Sequence, residues 1–472
     1  MILTRVLRGS FRSALLAPVL FAYACIPAWA QAPDGSEAID PPAWVETTEA
    51  GAIVLTPETA GWWAAERNTQ LRTASQRIQE AEGQLQQARA GDALTVDVSA
   101  SAMRLGPVTT IELPAQEGEE PMTVDVTPDQ QYQATISARK PLYTGGRVGL
   151  GEDVAREGID AAQIGTEIAG LSVTQGARAA GYGVLRATQL AGIAAAQVTA
   201  LAEHVRNAEA MEDAGLVPHF DVVQARTELA RAREDLIAAQ TAIEQVEAQL
   251  RRLLALPQET ALEVTEAPPP EMPASELPEL IDVAQERRPE VSAAESSVRI
   301  ARLNRRLAAR ELAPSIALTG QYTRQTAAGF SGDEYSWQVG VVAEKPILDG
   351  GVKRGKITSA EARVSEAELQ LQEAQEQVAL EVVEAWLSVQ EAQERIATAE
   401  QGLVEARERR RMAQLRYREG IAAGIEVIDA DTALAAAEAR LVNAEYDRQL
   451  AVTELRTAMG IVETPQQEGE TQ

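Results

Sequence analysis

Lys140-Pro141-Leu142-Tyr143-Thr144-Gly145-Gly146-Arg147 recurs as Lys345-Pro346-Ile347-Leu348-Asp349-Gly350-Gly351-Val352, 205 residues further on. A second landmark, Gly215-Leu216-Val217-Pro218-His219-Phe220-Asp221, recurs as Gly420-Ile421-Ala422-Ala423-Gly424-Ile425-Glu426 at the same offset. Two landmarks that keep one register across about 75 residues imply an internal duplication. Each chain therefore carries two copies of one structural unit.

Before each Gly-Gly the hydrophobic period is two. In 95–102, Val96, Val98, Ala100 and Ala102 alternate with Asp97, Ser99 and Ser101; in 133–139, Ala134, Ile136 and Ala138 alternate with Gln133, Thr135, Ser137 and Arg139. The second copy repeats this with Ile316, Leu318, Gly320 and Tyr322, then with Tyr335, Trp337, Val339, Val341 and Ala343. A period of two predicts strands with one apolar and one polar face. The first strands match at an offset of 220 and the second at 205, so the acidic hairpin loop of the first copy, 106–130, is longer by 15 residues. Loops tolerate such insertions.

After each Gly-Gly the period changes to that of a helix. Gly146 to Gly215 and Gly351 to Gly420 both span 69 residues. Leu371, Ala374, Val378, Val382, Ala385, Val389, Ala392, Ile396, Ala399, Leu403 and Ala406 recur at threes and fours, the seam of a left-handed coiled coil. Returning helices are predicted over 221–256 and 426–460, and a further helical pattern runs from 57 to 93. Gly145, Gly146, Gly350 and Gly351 read as the bends where strand becomes helix. Gly215 and Gly420 read as the ends of the long helices. The copies therefore occupy 57–256 and 281–460, each read as helix, strand, strand, long helix, helix. Between them, 257–280 holds Pro257, Pro268, Pro269, Pro270, Pro273 and Pro278 and reads as an extended linker; 31–56 and 461–472 read as a disordered lead and tail.

Residues 1–30 read as a secretory signal, with Arg5, Arg8 and Arg12, an apolar run over 14–26 and Ala28-Trp29-Ala30 as a cleavage site. Cleavage removes Cys25, the sole cysteine, and with it disulfides, thiolate metal sites and cysteine nucleophiles; lipidation of Cys25 is the minor reading, since Ala22-Tyr23-Ala24 lacks the usual aliphatic residue. No later segment reads as a transmembrane helix, so entry into a membrane has to be by strands. A net charge of −27 argues against a nucleic-acid partner. Aromatics at 4% argue against compact aromatic-cored globules and for long helices.

Three signals suggest chemistry and each has a plainer explanation. Gly350-Gly351-Val352-Lys353-Arg354-Gly355-Lys356 fits a phosphate loop, but Ile357 stands where a hydroxyl is needed for magnesium. His204 and His219 have no partner one helical turn away, so no metal site is expected. Glu405/Arg409 and Glu408/Arg411 read as pairs on solvated helix faces. No catalytic residue, cofactor or metal is expected.

Four amphipathic strands leave two open edges, which lipid does not tolerate, so any barrel requires further chains. The motifs quoted above, with Arg288-Pro289-Glu290 opening a helix and Pro314-Ser315 opening a strand, resemble the TolC family of outer-membrane efflux proteins over about residues 50–460. The resemblance implies a mainly α fold with a membrane β-barrel: a homotrimer whose long helices form an α-barrel across the periplasm and whose strands form a twelve-strand β-barrel in the outer membrane of a Gram-negative bacterium. The implied function is the exit duct of a tripartite efflux pump or type I secretion system. A periplasmic coiled-coil structural protein or adhesin without a channel would account for the helices but not for the strands.

The lipid face is then expected to include Val96, Val98, Ile136, Ile316, Leu318, Trp337 and Val339, with Asp97, Ser99, Thr135, Ser137, Thr319 and Gln338 facing water. The tips at Gly215, Leu216, Val217, Gly420 and Ile421 match the place where a periplasmic membrane-fusion adaptor docks, and through it an inner-membrane transporter. Glu426 and Asp429 match the acids that ring the periplasmic entrance. Asp221 and Tyr417 match an acid and a tyrosine whose bond holds the entrance closed. This chain departs from the pattern at Ala422 and Phe220, where a basic residue and its hydroxyl partner are expected, so one closing link is absent or replaced.

Overall fold

The computed structural model describes residues 46–48, 51–104, 106–107, 110–113, 122–125, 130–270, 272–273, 275–327 and 333–461. The expected signal segment, most of the lead and nearly all of the tail lie outside them. After β1 (Glu46–Thr47) and β2 (Ile53–Leu55) in the lead, the first copy runs α1 (Pro57–Arg67), α2 (Thr69–Arg89), β3 (Thr95–Arg104), β4 (Thr110–Leu113), β5 (Met122–Asp125), β6 (Gln130–Tyr143), α3 (Arg147–Asp213) and α4 (His219–Leu253). After β7 (Leu262–Val264) the second copy runs α5 (Leu277–Arg287), α6 (Pro289–Ala309), β8 (Ser315–Ala327), β9 (Asp333–Glu344), α7 (Val352–Arg418) and α8 (Gly424–Ala458). Helices α3 and α7 are each 67 residues, and α4 and α8 are each 35, as duplication requires.

Four expectations need correction. The lead is not structureless throughout: β2 pairs in parallel with β7 of the linker, Ile53 opposite Leu262 and Leu55 opposite Val264, and Ile53 and Leu55 are buried. Strands of three residues are too short to display a period. Helix α5 also begins inside the expected linker, with a proline in its first turn, where a missing N–H costs nothing. The predicted helix 57–93 is broken at Asn68, whose ψ of 139° leaves the helical region and whose side chain accepts from Gln70 N–H at 2.8 Å, capping α2. The acidic loop contains the antiparallel pair β4–β5. Finally, α3 contains an 18-residue window long and apolar enough to cross a membrane by length and composition. Its many alanines and glycines make it apolar, yet α3 is the central helix of the chain, packed against α1, α2, α4, α6 and α8.

The main sheet has the order β3-β6-β8-β9, antiparallel throughout. Directly opposed residues share a face. One row is Val98, Ile136, Tyr322 and Trp337; the next is Ser99, Thr135, Thr323 and Ser336. Continued along the strands, this register puts Val96, Ala138, Gly320 and Val339 in the apolar row beside it and Asp97, Ser137, Gln321 and Gln338 in the polar one, the two faces expected. The polar face is knitted by side chains, with Thr135 and Thr323 hydroxyls 3.3 Å apart and Gln338 donating to Gln321 at 2.8 Å. The apolar face is open: Val98 is 75% exposed and Trp337 71%. A continuous apolar sheet face of this kind marks contact with lipid or protein.

At both junctions the strand turns into the long helix through left-handed glycines, with φ of 67° and 79° at Gly145 and Gly146 and 63° and 95° at Gly350 and Gly351. Gly145 is also sterically required, since a Cβ there would clash with the Cβ of Ala313. In the second copy Asp349 accepts from the N–H groups of Gly351 (3.0 Å) and Lys353 (2.7 Å). The α7 N-terminus is thus capped by its own chain, which removes the donors a phosphate loop would offer.

The helices form rows that follow the sheet. Near the sheet the order is α2-α3-α6-α7; towards the far end it is α4-α3-α8-α7. Midway, Leu280, Val291, Val378, Val382, Val389 and Leu455 join α5, α6, α7 and α8 in one apolar core. The two copies brace this level in parallel ways. Asn68 donates to the carbonyl of Leu253 at 2.8 Å, and Arg288, at the same place in the second copy, donates to the carbonyl of Ala458 at 3.3 Å. Arg288 also forks to Glu290 (2.7 Å) and Glu381 (2.8 Å), tying α6 to α7 and α8.

Candidate functional site

The end of the chain's helices furthest from the sheet is built by two equivalent turns. Gly215 (φ 70°) donates to the carbonyl of Glu212 at 2.8 Å, and Leu216 to that of Met211 at 2.8 Å. Gly420 (φ 71°) donates to Tyr417 at 3.0 Å, and Ile421 to Arg416 at 2.9 Å. This pairing satisfies carbonyls that the end of a helix leaves free. It leaves apolar side chains in solvent: Leu216 is 73% exposed, Ile421 70% and Phe220 69%, while Val217 is half-buried. His219 is exposed beside them, its Nδ1 2.7 Å from Glu212.

Between the turns lies a cavity of about 610 Å³ lined by His204, Asn207, Leu216, Arg410, Tyr417 and Asp431, among others. The His204 and Tyr417 rings are 5.3 Å apart and both are buried. Tyr417 packs with Ala413, Val427 and Ala430. The expected bond between Tyr417 and Asp221 is not formed: the Tyr417 hydroxyl is enclosed and has no hydrogen-bond partner. Packing on His204 and on α8 holds the ring. Burial, and then the Asp221 carboxylate, push the Tyr417 hydroxyl pKa up. Burial pulls the His204 pKa below its ordinary value, against the opposing charges of Asp431 and Asp221.

Glu426 and Asp429 share one face at the start of α8, Asp429 exposed and Glu426 half-buried. Glu426 is ion-paired with Arg416 at 3.2 Å, a partner the sequence reading missed. It also missed Asp431, buried and 2.6 Å from Arg410 Nε. A signal for it exists: Asp431 falls on the apolar stripe Val427, Ala430 and Leu434, where an acid demands a cation. Nothing local points to His204 beside Tyr417, because they meet only when α3 and α7 pack at their ends. Among the described residues no group of His, Cys, Asp and Glu could hold a metal.

The profile of the outer membrane efflux protein family matches residues 63–256 and 280–461, the two copies almost in full. The outer membrane protein TolC of Vibrio cholerae is 29% identical over 187 residues, which is 38% of this chain and 43% of TolC. Among solved structures, a Pseudomonas aeruginosa membrane protein aligns with a TM-score of 0.70 at 20% identity, over 86% of this chain and 93% of its own. The Vibrio cholerae outer membrane protein VceC aligns with a TM-score of 0.67 at 22% identity, over 86% and 96%. At those identities the structures establish the fold. A sheet with one apolar and one polar face, carried on two very long helices, is the mixed helix-and-strand fold that the chain shares with them. The chain belongs to the outer membrane efflux protein family, and its location is the outer membrane.

Proposed function

We propose that this chain is one third of a homotrimeric channel-tunnel, the exit duct of a tripartite efflux pump or type I secretion system. The observation that carries this reading is the four-strand sheet open at both edges, apolar on one face and polar on the other, which runs directly into α3 and α7. Three such sheets would close a twelve-strand barrel with a polar lumen, in keeping with the smallest bacterial barrels of about eight strands. Three sets of helices would continue that lumen through the periplasm. A non-channel coiled-coil protein or adhesin has no use for the alternating sheet.

On this reading the exposed tips at Gly215, Leu216, Val217, Gly420 and Ile421 receive a periplasmic adaptor, which links the duct to an inner-membrane transporter. Glu426 and Asp429 would crowd the threefold axis at the entrance, with Arg416 offsetting part of their charge. With the Asp221–Tyr417 bond unmade, the closed entrance would rest on the Arg410–Asp431 pair and on the packing of Tyr417 against His204. The test is reconstitution into planar bilayers: discrete, cation-selective conductance steps are expected, and a purified trimer that never conducts refutes the duct.

A further inference from the structure

Lys140, Lys345, Lys353 and Lys356 are all the lysines of this chain, and all stand where the sheet turns into the long helices. Three of them belong to the second copy, where Arg310 and Arg354 join them, in a chain whose net charge is −27. We infer that this second junction binds an anionic phospholipid of the membrane's periplasmic leaflet, with Arg310, Lys345 and Arg354 around the headgroup phosphate and Ile347 and Leu348 among the acyl chains. This rests on the reading that places the sheet in the membrane and the helices in the periplasm, and adds to it the lipid held at that end of the sheet.

The register sets lysines at the edge of the apolar band. Lys140 stands opposite Leu318, and Leu318 opposite Val341, so the apolar face of β6 runs Ile136, Ala138 and then Lys140. On β9, Val341 and Ala343 are followed at the same period by Lys345, one residue past the strand's end, while Glu344 falls in the polar row opposite Ser315. A lysine there lays its stem on apolar surface and keeps its compact charge at the level of the headgroups. The loop behind it supplies the apolar part: Ile347 and Leu348 are 91% and 92% exposed, the two most exposed large apolar residues among those described. An apolar pair flanked by cations suits the boundary between acyl chains and headgroups, and a free phosphate ion has no use for it. The chain itself does not neutralise the cluster. Lys356 is paired with Glu311, which brings the end of α6 to the first turn of α7, and Asp349 is turned onto backbone N–H groups. Arg310, Lys345 and Arg354 are exposed and have no ion-pair partner among the described residues.

The duplication supplies an internal control. Adding 205 carries Val148, Gly149 and Gly151 of the first copy onto Lys353, Arg354 and Lys356, and adding 220 carries Ala90 onto Arg310. The first copy makes the same left-handed glycine turn into a helix of the same length without these cations, so the fold does not call for them. The stretch 350–356, which imitates a phosphate loop, has two of its backbone donors occupied by Asp349 and offers phosphate its side chains instead. The β3–β6 and β8–β9 connections lie at the other end of the strands, so the leaflet in reach of the junction is the one that faces the helices.

Lipid retention tests the site. The protein is inserted into vesicles of equal parts phosphatidylglycerol and phosphatidylcholine, transferred to mild detergent, and its bound lipids are counted by native mass spectrometry. Phosphatidylglycerol should be retained in preference. Each cation beside an anionic surface contributes about a fivefold preference, so Lys345→Gln alone should lose about fivefold, and Arg310→Gln with Lys345→Gln and Arg354→Gln about tenfold or more. Arg310→Lys with Lys345→Arg and Arg354→Lys should keep the preference. Arg233→Gln with Arg407→Gln and Arg409→Gln removes the same charge from exposed positions on α4 and far along α7, and should change nothing. Equal retention of the two lipids by the unaltered protein, or an equal loss from the distant variant, overturns the site. Displacement of the bound lipid by millimolar inorganic phosphate overturns the lipid as its ligand. Ile347→Ser with Leu348→Ser should weaken retention of both lipids, and unchanged retention overturns the apolar half of the site. Protein that never inserts into the vesicles, by contrast, removes the membrane reading itself.

Discussion

Ala255 and Gly460 occupy the same place in the two copies and the same left-handed backbone conformation, with φ of 55° and 70°. Each follows the last turn of a returning helix, and each is followed by a residue whose N–H reaches back, Leu256 to Arg251 and Ile461 to Arg456, both at 2.9 Å. The first copy ends its helix with an alanine where the second uses the residue suited to the task.

Ala255→Gly should therefore stabilise the protein by about 1 kcal/mol, because the strain of a Cβ at positive φ exceeds the entropy glycine adds to the unfolded chain. Gly460→Ala should cost more than that, since its Cβ would also lie 3.1 Å from Arg287 Cβ and 3.2 Å from that residue's carbonyl. Denaturant midpoints of the two variants are expected to move in opposite directions; movement in the same direction would show that the two turns are not equivalent.

The braces at Asn68 and Arg288 should differ in strength. Asn68→Ala loses a helix cap and a buried hydrogen bond, about 1–2 kcal/mol. Arg288→Met strands the Ala458 carbonyl and unpairs Glu381 of α7, about 2–3 kcal/mol, short of a fully buried pair because Glu381 keeps solvent access. Equal losses in urea unfolding would mean that the ion pairs of Arg288 add nothing to its backbone bond.

Acid should loosen the tips first. Burial holds the pKa of folded His204 below its ordinary value of about 6.5. Between those two values the unfolded state binds the extra proton, so stability is complete above about pH 6.5 and falls as pH drops through the window. The groups facing the ring are Tyr417 and Arg410 of α7, Asp431 of α8 and Asp221 of α4, with Glu203 beside it on α3. Amide exchange over 204–217 and 410–430 should quicken between pH 7.5 and 5. His204→Gln should flatten that response, and a variant that keeps it would place the sensor elsewhere.

At the entrance, two substitutions should have opposite signs. Glu426→Ala with Asp429→Ala should lower cation selectivity and remove block by divalent cations. Arg416→Ala should raise selectivity, because it unmasks Glu426. Reversal potentials across a potassium chloride gradient read both; a shift of one sign for the two variants would place these groups away from the pore.

Leu216→Asp and Ile421→Asp should abolish efflux while trimers still assemble, because they put charge into the apolar tips that would meet the adaptor. Normal efflux by such trimers would move the docking site off the turns.

What the sequence determined by itself is what is written in local periods and in special residues: the duplication, the alternating faces of β3, β6, β8 and β9, the long helices, and the glycine turns at 145, 215, 350 and 420. A period of two or of three and a half survives without knowledge of any partner, because each strand or helix must offer one continuous face. What only the tertiary structure decided is which distant side chains meet. The β2–β7 pair unites two three-residue segments too short to carry a period. Asn68 and Arg288 find equivalent carbonyls with unlike side chains, a likeness visible only in space. At the tips, Tyr417 rests on His204, and Glu426 and Asp431 each take an arginine, because the rotation and approach of α3, α7 and α8 set those contacts, and no spacing along one helix encodes how it will sit against another.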